Sequence, residues 1–417
     1  MYILDRYVDN RKAVTVTVLS LIFIVLCVIF YLWYTTATIL IKSSGADIYV
    51  SEQKDRSSFK KIGFSEAAYR TRTQGNLYIE ARGKQGQATQ KPIQPKRRTT
   101  TTINLTLNEI IQVEPVTDLA FTYPLITKGY IFGINGNTNS LSMKSINNSA
   151  KAPLLPYLPE LKKVIWYGEG DFAWVSYNRQ SGYVNNWGKT YITEGDEPLP
   201  NIDIDRQGNT TALLSNAELR LSTGNDPYKS KRIASALNTD PSRVFVSPKY
   251  ISMTSFNTSS ASSEEGVSDI PTGADLTVYT HSGVLKQRIS LPKNVDIIYK
   301  VEYLGDEQLG VLSDGKMYVV DIEDGSFTRK DFAFGTVNDL VAYKGRILLM
   351  GNTGLWSYDL DKDNYYRVAN YANGETYVDN SLTVLDDQLY FSSSLKGSSS
   401  WGKPDTQANN RMYRVDL

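Results

Sequence analysis

A strand–turn–strand unit returns along the C-terminal part of this chain, and its return limits the folds open to the sequence. Lys316-Met317-Tyr318-Val319-Val320-Asp321 runs into the acidic turn Ile322-Glu323-Asp324-Gly325 and on to Ser326-Phe327. Gly354-Leu355-Trp356-Ser357-Tyr358-Asp359 runs into Leu360-Asp361-Lys362-Asp363 and on to Asn364-Tyr365, so that Asp321 and Asp359 lie 38 residues apart. Asp275–Leu285 is an earlier copy, and Arg411–Leu417 repeats the strand at the end. Another strand precedes most copies, as in Glu307–Leu312, Gly345–Met350 and Asp387–Phe391. A unit this short cannot bury its own apolar faces and must stack on neighbours. Four strands at a period near 40 predict β-propeller blades. Weaker units fall at Val164–Tyr191 and Ile202–Ile233. Residues 114–417 at that spacing make about seven blades.

The N-terminal end is of another kind. Ala13 to Tyr34 carries no charge and is dominated by Val, Leu, Ile and Phe. At about 1.5 Å per residue it spans a hydrocarbon layer of roughly 30 Å. Tyr31, Trp33 and Tyr34 gather at its C-terminal end, where an aromatic belt belongs. Arg6, Arg11 and Lys12 precede it and only Lys42 follows closely. The positive-inside rule then predicts a cytoplasmic tail at residues 1–12, a transmembrane helix at 13–34, and everything after it outside. A cleaved signal peptide would have a shorter apolar run with a small-x-small exit, whereas this run leaves through Tyr31-Leu32-Trp33-Tyr34. Cys27 lies in mid-span after Leu26 and reads as a packing residue, not a lipidation site.

Residues 35–113 form a basic segment between these two. From Thr38 to Val113 there are 13 basic and 6 acidic residues, whereas 29 basic and 36 acidic residues follow Val113. That reversal of sign marks a domain boundary. Thr38–Ile41, Asp47–Val50, Asn76–Glu80 and Thr101–Leu107 suit half-buried strands. Gln85–Thr102, with Pro92, Pro95 and Lys96-Arg97-Arg98, reads as a basic loop or linker. Gly45-Ala46 opens the second strand and Gly75 precedes the third. This order resembles a PEGA domain, a small β-sandwich-like module of cell-envelope proteins. Only the second half of the family's Pro-Glu-Gly-Ala survives, in Ser43-Ser44-Gly45-Ala46. Gly45 still makes physical sense as a residue free to take φ > 0 before a strand.

The blades in turn resemble quinoprotein-like or outer-membrane-assembly-type propeller repeats, in which a strand ends in Asp and a Gly turn follows. They lack a Trp-Asp signature, a kelch double Gly and the sialidase box, of which Ser313-Asp314-Gly315 is a fragment. Together the resemblances imply a membrane-anchored PEGA-domain envelope protein with a C-terminal quinoprotein-like propeller. The expected fold class is an all-β outer region, a small sandwich followed by a propeller, with one N-terminal transmembrane helix.

Composition narrows the chemistry. One Cys and one His exclude an intramolecular disulfide, a Cys/His zinc site and a Cys–His dyad outside the membrane. His281, in Tyr279-Thr280-His281-Ser282-Gly283, reads as a surface turn residue and not a catalytic base. A net charge of +1 points to no obligate polyanion, and no nucleic-acid partner is expected. Asp359, Asp361 and Asp363 alternate as calcium ligands do, but Asn364 and Asn370 stand where an EF-hand wants Gly and Glu. Capping of the hairpin turn is the favoured role for these acids. Val164–Gly188 is dense in aromatics, among them Trp166, Tyr167, Trp174 and Trp187. These, with Trp401, are candidate binding residues for a sugar ring or a protein hot spot, against the plainer reading that most fill the space between blades.

Two polar runs, Thr254–Gly273 and Ser392–Asn410, read as long surface loops able to carry binding. Lys96-Arg97-Arg98 faces either solvent or anionic headgroups and wall polymers just outside the membrane. The expected function is that of a non-enzymatic cell-envelope scaffold that needs no cofactor. It is held in the lipid bilayer by Ala13–Tyr34 and recognises an envelope protein or glycan through propeller loops. The competing expectation is a propeller enzyme acting on glycosides through paired carboxylates.

Overall fold

In the computed structural model the chain divides into two compact units, Met1–Asn108 and Glu109–Leu417. The sequence placed the boundary a few residues later, after Val113. The structure describes residues 2–417 apart from 54–55, 74, 85–87, the segments joining strands between 118 and 240, 264–265, 293–294, 296–297, 373–374, 379–380 and 396–410. Within that set, side chains are described for 14–31, 34–116, Ile131, 218–221, 231–234, 244–255, 275–393 and 411–417.

The first unit opens with helix α1 (Tyr2–Thr35). Its window Val14–Tyr31 has a mean hydropathy of 2.8 and buries none of its surface in the protein. Among the described residues it is one helix long and apolar enough to cross a membrane, and a signal sequence has the same properties. Strand β1 (Ala37–Ser51) follows, where the sequence suggested two shorter strands. The apolar pattern shows why one strand looked like two. Ala37, Ile39 and Ile41 are buried at odd positions, and Ala46, Ile48 and Val50 at even ones. The phase changes at Gly45, which takes φ +71°, and the pairing with β2 (Lys60–Thr71) shifts register between Lys42 and Asp47. An extra residue at a left-handed glycine is the local chemistry of a β-bulge, and it turns the second half of the strand so that both halves face the core. β3 (Leu77–Gly83) pairs with the second half of β1, and β5 (Thr100–Asn104) runs parallel to the first.

Between them, β4 (Ala88–Ile93) pairs with β3 throughout and sets Pro92 opposite Tyr78. The expected linker Gln85–Thr102 therefore contains a strand. The sequence obscured it because Gln, Thr and Lys alternate there with few apolar residues. The core of this unit is Ile39, Ile41, Ile48, Val50, Leu77 and Ile79 with their neighbours.

The second unit is a β-propeller of seven blades among the described residues. Its chain opens with β6 (Glu114–Thr117). Six sets of four antiparallel strands follow in sequence order, from Phe121–Thr127 of blade 1 to Asn364–Ala369 of blade 6. The weak units foreseen near 164–191 and 202–233 are blades 2 (Leu161 to Glu194) and 3 (Asn201 to Ala234). In blade 7, Glu375–Tyr377 and Thr383–Leu385 both pair with Gln388–Leu395, and that strand pairs with Arg411–Asp416. β6 completes it, with Met412 opposite Thr117 and Arg414 opposite Glu114. The ring thus closes by joining the first strand of the unit to the last, which covers an edge that would otherwise lie open.

Middle strands of the blades are buried along their whole length. Every residue of Gly354–Asp359 is buried, as are Leu309–Ser313. A strand packed on both faces needs unbroken apolar residues rather than alternation, which accounts for runs such as Ile347-Leu348-Leu349-Met350. The turns follow from local chemistry too. Asp314-Gly315 and Lys344-Gly345 take positive φ at both residues, as do Asp306-Glu307 and Asp386-Asp387. Two successive left-handed residues are the mark of the tight hairpin turn that matches the twist of antiparallel strands.

One polar run departs from expectation. Thr254–Gly273 belongs not to a loop but to a long hairpin, Tyr250–Ser263 paired with Gly266–Thr280 up to Ser263 opposite Gly266. The flanking strands of blade 4 stop pairing at Ser255 and Asp275. Beyond them the hairpin continues as a two-stranded arm, on the order of 25 Å long at the usual rise per residue. Backbone hydrogen bonds hold such a ribbon whatever its side chains, so polarity alone misled the reading. Of the second polar run, Ser392–Leu395 is strand and the rest lies outside the described residues.

Candidate functional site

The first strands of the blades ring the propeller axis. The first strand of blade 1 adjoins those of blades 2 and 7, that of blade 3 adjoins those of blades 2 and 4, and that of blade 5 adjoins that of blade 6. Lys300 and Glu302 stand on the first strand of blade 5 and Asp339 on that of blade 6. Lys300 Nζ lies 2.6 Å from Asp339 Oδ1 and 3.7 Å from Glu302 Oε1. Asp339 is fully buried, and its carboxylate also accepts the amides of Leu340 (2.8 Å) and, from blade 7, Leu382 (2.9 Å). One carboxylate thereby joins three blades. Both oxygens of this carboxylate are taken up by donors from the protein itself. Nothing along the chain cues this cluster, because Lys300 and Glu302 stand on one blade and Asp339 on the next, and they match no motif.

A second kind of polar contact recurs between blades at their first turns. Lys249 and Tyr250 of blade 4 both reach Glu307 of blade 5. Tyr343 and Lys344 of blade 6 both reach Asp387 of blade 7, at 2.7 and 2.8 Å. Glu307 and Asp387 are each the second left-handed residue of their turn. The Lys249 ammonium, helped by the Tyr250 hydroxyl, holds the Glu307 carboxyl below its ordinary range, and Lys344 with Tyr343 does the same for Asp387.

Of the acids expected to cap the turn of blade 6, Asp359 accepts a turn amide, and Asp321 plays the same part in blade 5. Asp321 accepts the amides of Glu323 (2.8 Å) and Asp324 (3.4 Å), and Asp359 accepts that of Lys362 (3.1 Å). Asp359 also takes the Lys362 ammonium at 2.8 Å, and Asp363 accepts the Tyr358 hydroxyl at 2.7 Å. Asp361 is exposed in the same turn. Among the described residues no group of three His, Cys, Asp or Glu side chains is gathered as a metal ion would need. His281 sits in a turn with Nε2 3.0 Å from the Ser247 carbonyl, to which it donates.

Trp166 and Tyr167 lie on the first strand of blade 2 and Trp174 on its second, with Ile165 opposite Trp174 and Trp166 opposite Ala173. Their side chains lie outside the described residues, as do Trp187 and Trp401 altogether.

No family model and no curated protein matches this chain. Among solved structures, a streptogramin B lyase is 12% identical with a TM-score of 0.49, covering 74% of this chain and 98% of that one. A catalytically inactive virginiamycin B lyase from Staphylococcus aureus with quinupristin is 11% identical with a TM-score of 0.48, covering 74% of this chain and 99% of that one. A nidogen/laminin complex is 10% identical with a TM-score of 0.37, covering 60% of this chain and 92% of that one. At these values the likeness is one of chain path and carries nothing about activity.

Proposed function

We propose that this chain is a membrane-anchored display protein whose propeller binds a protein or glycan partner and does not catalyse a reaction. In this reading α1 stays in the cell membrane with Arg6, Arg11 and Lys12 on the cytoplasmic side, and both compact units are extracytoplasmic. The PEGA-like reading of residues 35–113 and the quinoprotein-like reading of the blades belong to the same proposal and rest on the motifs of the sequence.

The observation that carries it is the arm of blade 4. A two-stranded ribbon beyond its sheet has an unpaired edge on each side, and such edges add strands from partners. Its sequence, from Phe256 to Ala274, is rich in Ser, Thr, Asn and Gly and holds three acids, Glu264, Glu265 and Asp269. That composition favours a hydrogen-bonding surface over an apolar one.

The rival reading, a glycoside-acting enzyme, has one observation in its favour, the pair of carboxylates on neighbouring first strands. Lys300 lies between Glu302 and Asp339, and Asp339 has both oxygens engaged, which suits a lock between blades better than an acid and base pair.

The test compares the full chain with a variant in which 258–271 is replaced by Asn-Gly. Both are assayed for retention on envelope proteins and wall material and for turnover of a glycoside panel. Retention by the full chain that the shortened arm loses supports binding. Hydrolysis abolished by Glu302→Gln overturns it.

A further inference from the structure

Where α1 ends, the first unit gathers cations. The apolar window closes at Tyr31 and the helix at Thr35, about 6 Å further on at the helical rise. That distance is about the depth of one headgroup layer, given roughly 40–45 Å for a whole bilayer and 30 Å for its hydrocarbon core. The chain segment just before β5 returns to this level. The Arg98 amide donates to the Thr36 carbonyl (3.1 Å), and the Thr38 amide donates to the Thr99 carbonyl (3.0 Å). The Arg98 guanidinium lies 3.6 Å above the ring of Tyr34, on the last turn of the helix. Stacking of this kind fixes a cation on an aromatic that itself favours the membrane interface. On the other side of β1, Arg70 is the register partner of Thr38, and Arg72 follows at once.

Lys96, Arg97, Arg98, Arg70 and Arg72 are all exposed, and they flank the first residues after the helix. Segments 31–38, 70–73 and 96–101 contain no acid. Five exposed cations around the first residues after a hydrocarbon-length helix match the phosphates of an anionic membrane surface.

We propose that Lys96-Arg97-Arg98, positioned by the Arg98–Tyr34 stack and supported by Arg70 and Arg72, docks on the phosphates of anionic phospholipid headgroups at the outer end of α1. This rests on the reading of α1 as an anchor. The docked cations seat the base of the first unit on the bilayer. Neutral lipid presents phosphates balanced by choline and attracts the cluster less.

The test uses the full chain reconstituted in two bilayers, pure phosphatidylcholine and a phosphatidylcholine–phosphatidylglycerol mixture. Flotation reports insertion, and hydrogen exchange of residues 94–100 reports docking locally, out of reach of the basic N-terminal tail. Exchange is expected to slow by about fivefold or more in the mixture, the effect of drawing one Lys or Arg to an anionic surface. The slowing is expected to vanish in high salt. It is also expected to vanish in the variant Lys96→Gln, Arg97→Gln, Arg98→Asn, in which Asn tolerates the positive φ of Arg98. Tyr34→Leu keeps the helix apolar and is expected to reduce the slowing by removing the stack. Equal exchange in the two bilayers for a chain that floats with both would overturn the docking and leave the anchor standing. A chain that fails to float would overturn the anchor and the docking with it. Equal slowing by inorganic phosphate in pure phosphatidylcholine would assign the cluster to a free anion and overturn its assignment to lipid.

Discussion

At the scale of single residues, the propeller places ionisable side chains where their protonation reports on contacts between blades and within them. Glu307 carries a depressed carboxyl, so its contribution to stability is present above the ordinary value of 4.5 and is lost as pH falls through the lower folded value. In thermal melts from pH 6 downward, the wild type should exceed Glu307→Gln near neutrality and lose that margin below about pH 4.5. A margin unchanged to pH 3 would mean that Lys249 and Tyr250 do not hold the charge. Tyr413, on the closing strand, behaves in the opposite sense. Burial, aided by a 2.9 Å hydrogen bond to Glu375, pushes its phenol up from 10 to about 12. Its neutral form is the one the fold favours, so that contribution is complete below pH 10 and disappears as pH rises toward 12. Against Tyr413→Phe, which cannot ionise, the wild type should lose stability across that alkaline window. Parallel curves would contradict it.

At the scale of elements, two strands have roles that can be separated by changing them. β6 supplies the outer edge of blade 7, and Glu114 accepts from the Arg414 guanidinium at 2.9 and 2.7 Å. Replacing Glu114–Thr117 by a Gly-Ser stretch of equal length should cost a few kcal/mol, at about 1 kcal/mol for each hydrogen bond lost, and lower Tm for the propeller as a whole. An unchanged melting transition would show that the ring closes without this strand. The arm of blade 4 should behave differently, because the flanking strands stop at Ser255 and Asp275. Replacing 258–271 by Asn-Gly, a favoured two-residue hairpin turn, should leave Tm almost unchanged while altering partner retention. A large fall in Tm would mean that the arm packs on the propeller.

At the scale of the whole molecule, the ring depends on contacts that join blades far apart in sequence. Asp339 is the sharpest case, since Lys300, Leu340 and Leu382 all bind one buried carboxylate. Asp339→Ala leaves the Lys300 ammonium without its close partner and should cost about 3–5 kcal/mol, as does breaking other buried pairs from one side. Denaturant midpoints would measure this. A cost within the range of surface substitutions would show that water replaces the carboxylate freely. Asp339→Asn should fall between the two, because it keeps an acceptor for one amide.

The sequence by itself determined the repeat, the apolar helix, the change of charge sign and the turn-capping role of Asp359. Each of these is written in residues close together along the chain, where spacing and side-chain type suffice. The sequence could not distinguish a polar loop from the arm of blade 4, because ladder hydrogen bonds belong to the backbone and leave no mark on side-chain polarity. Nor could it show the joining of β1 across Gly45 or the strand inside Gln85–Thr102, where the apolar period shifts or fades. The Lys300–Glu302–Asp339 cluster and the seating of Arg98 on Tyr34 were decided only by the tertiary structure. Both bring together residues tens of positions apart, and which of many charged side chains meet is fixed by strand register and blade stacking, not by local sequence.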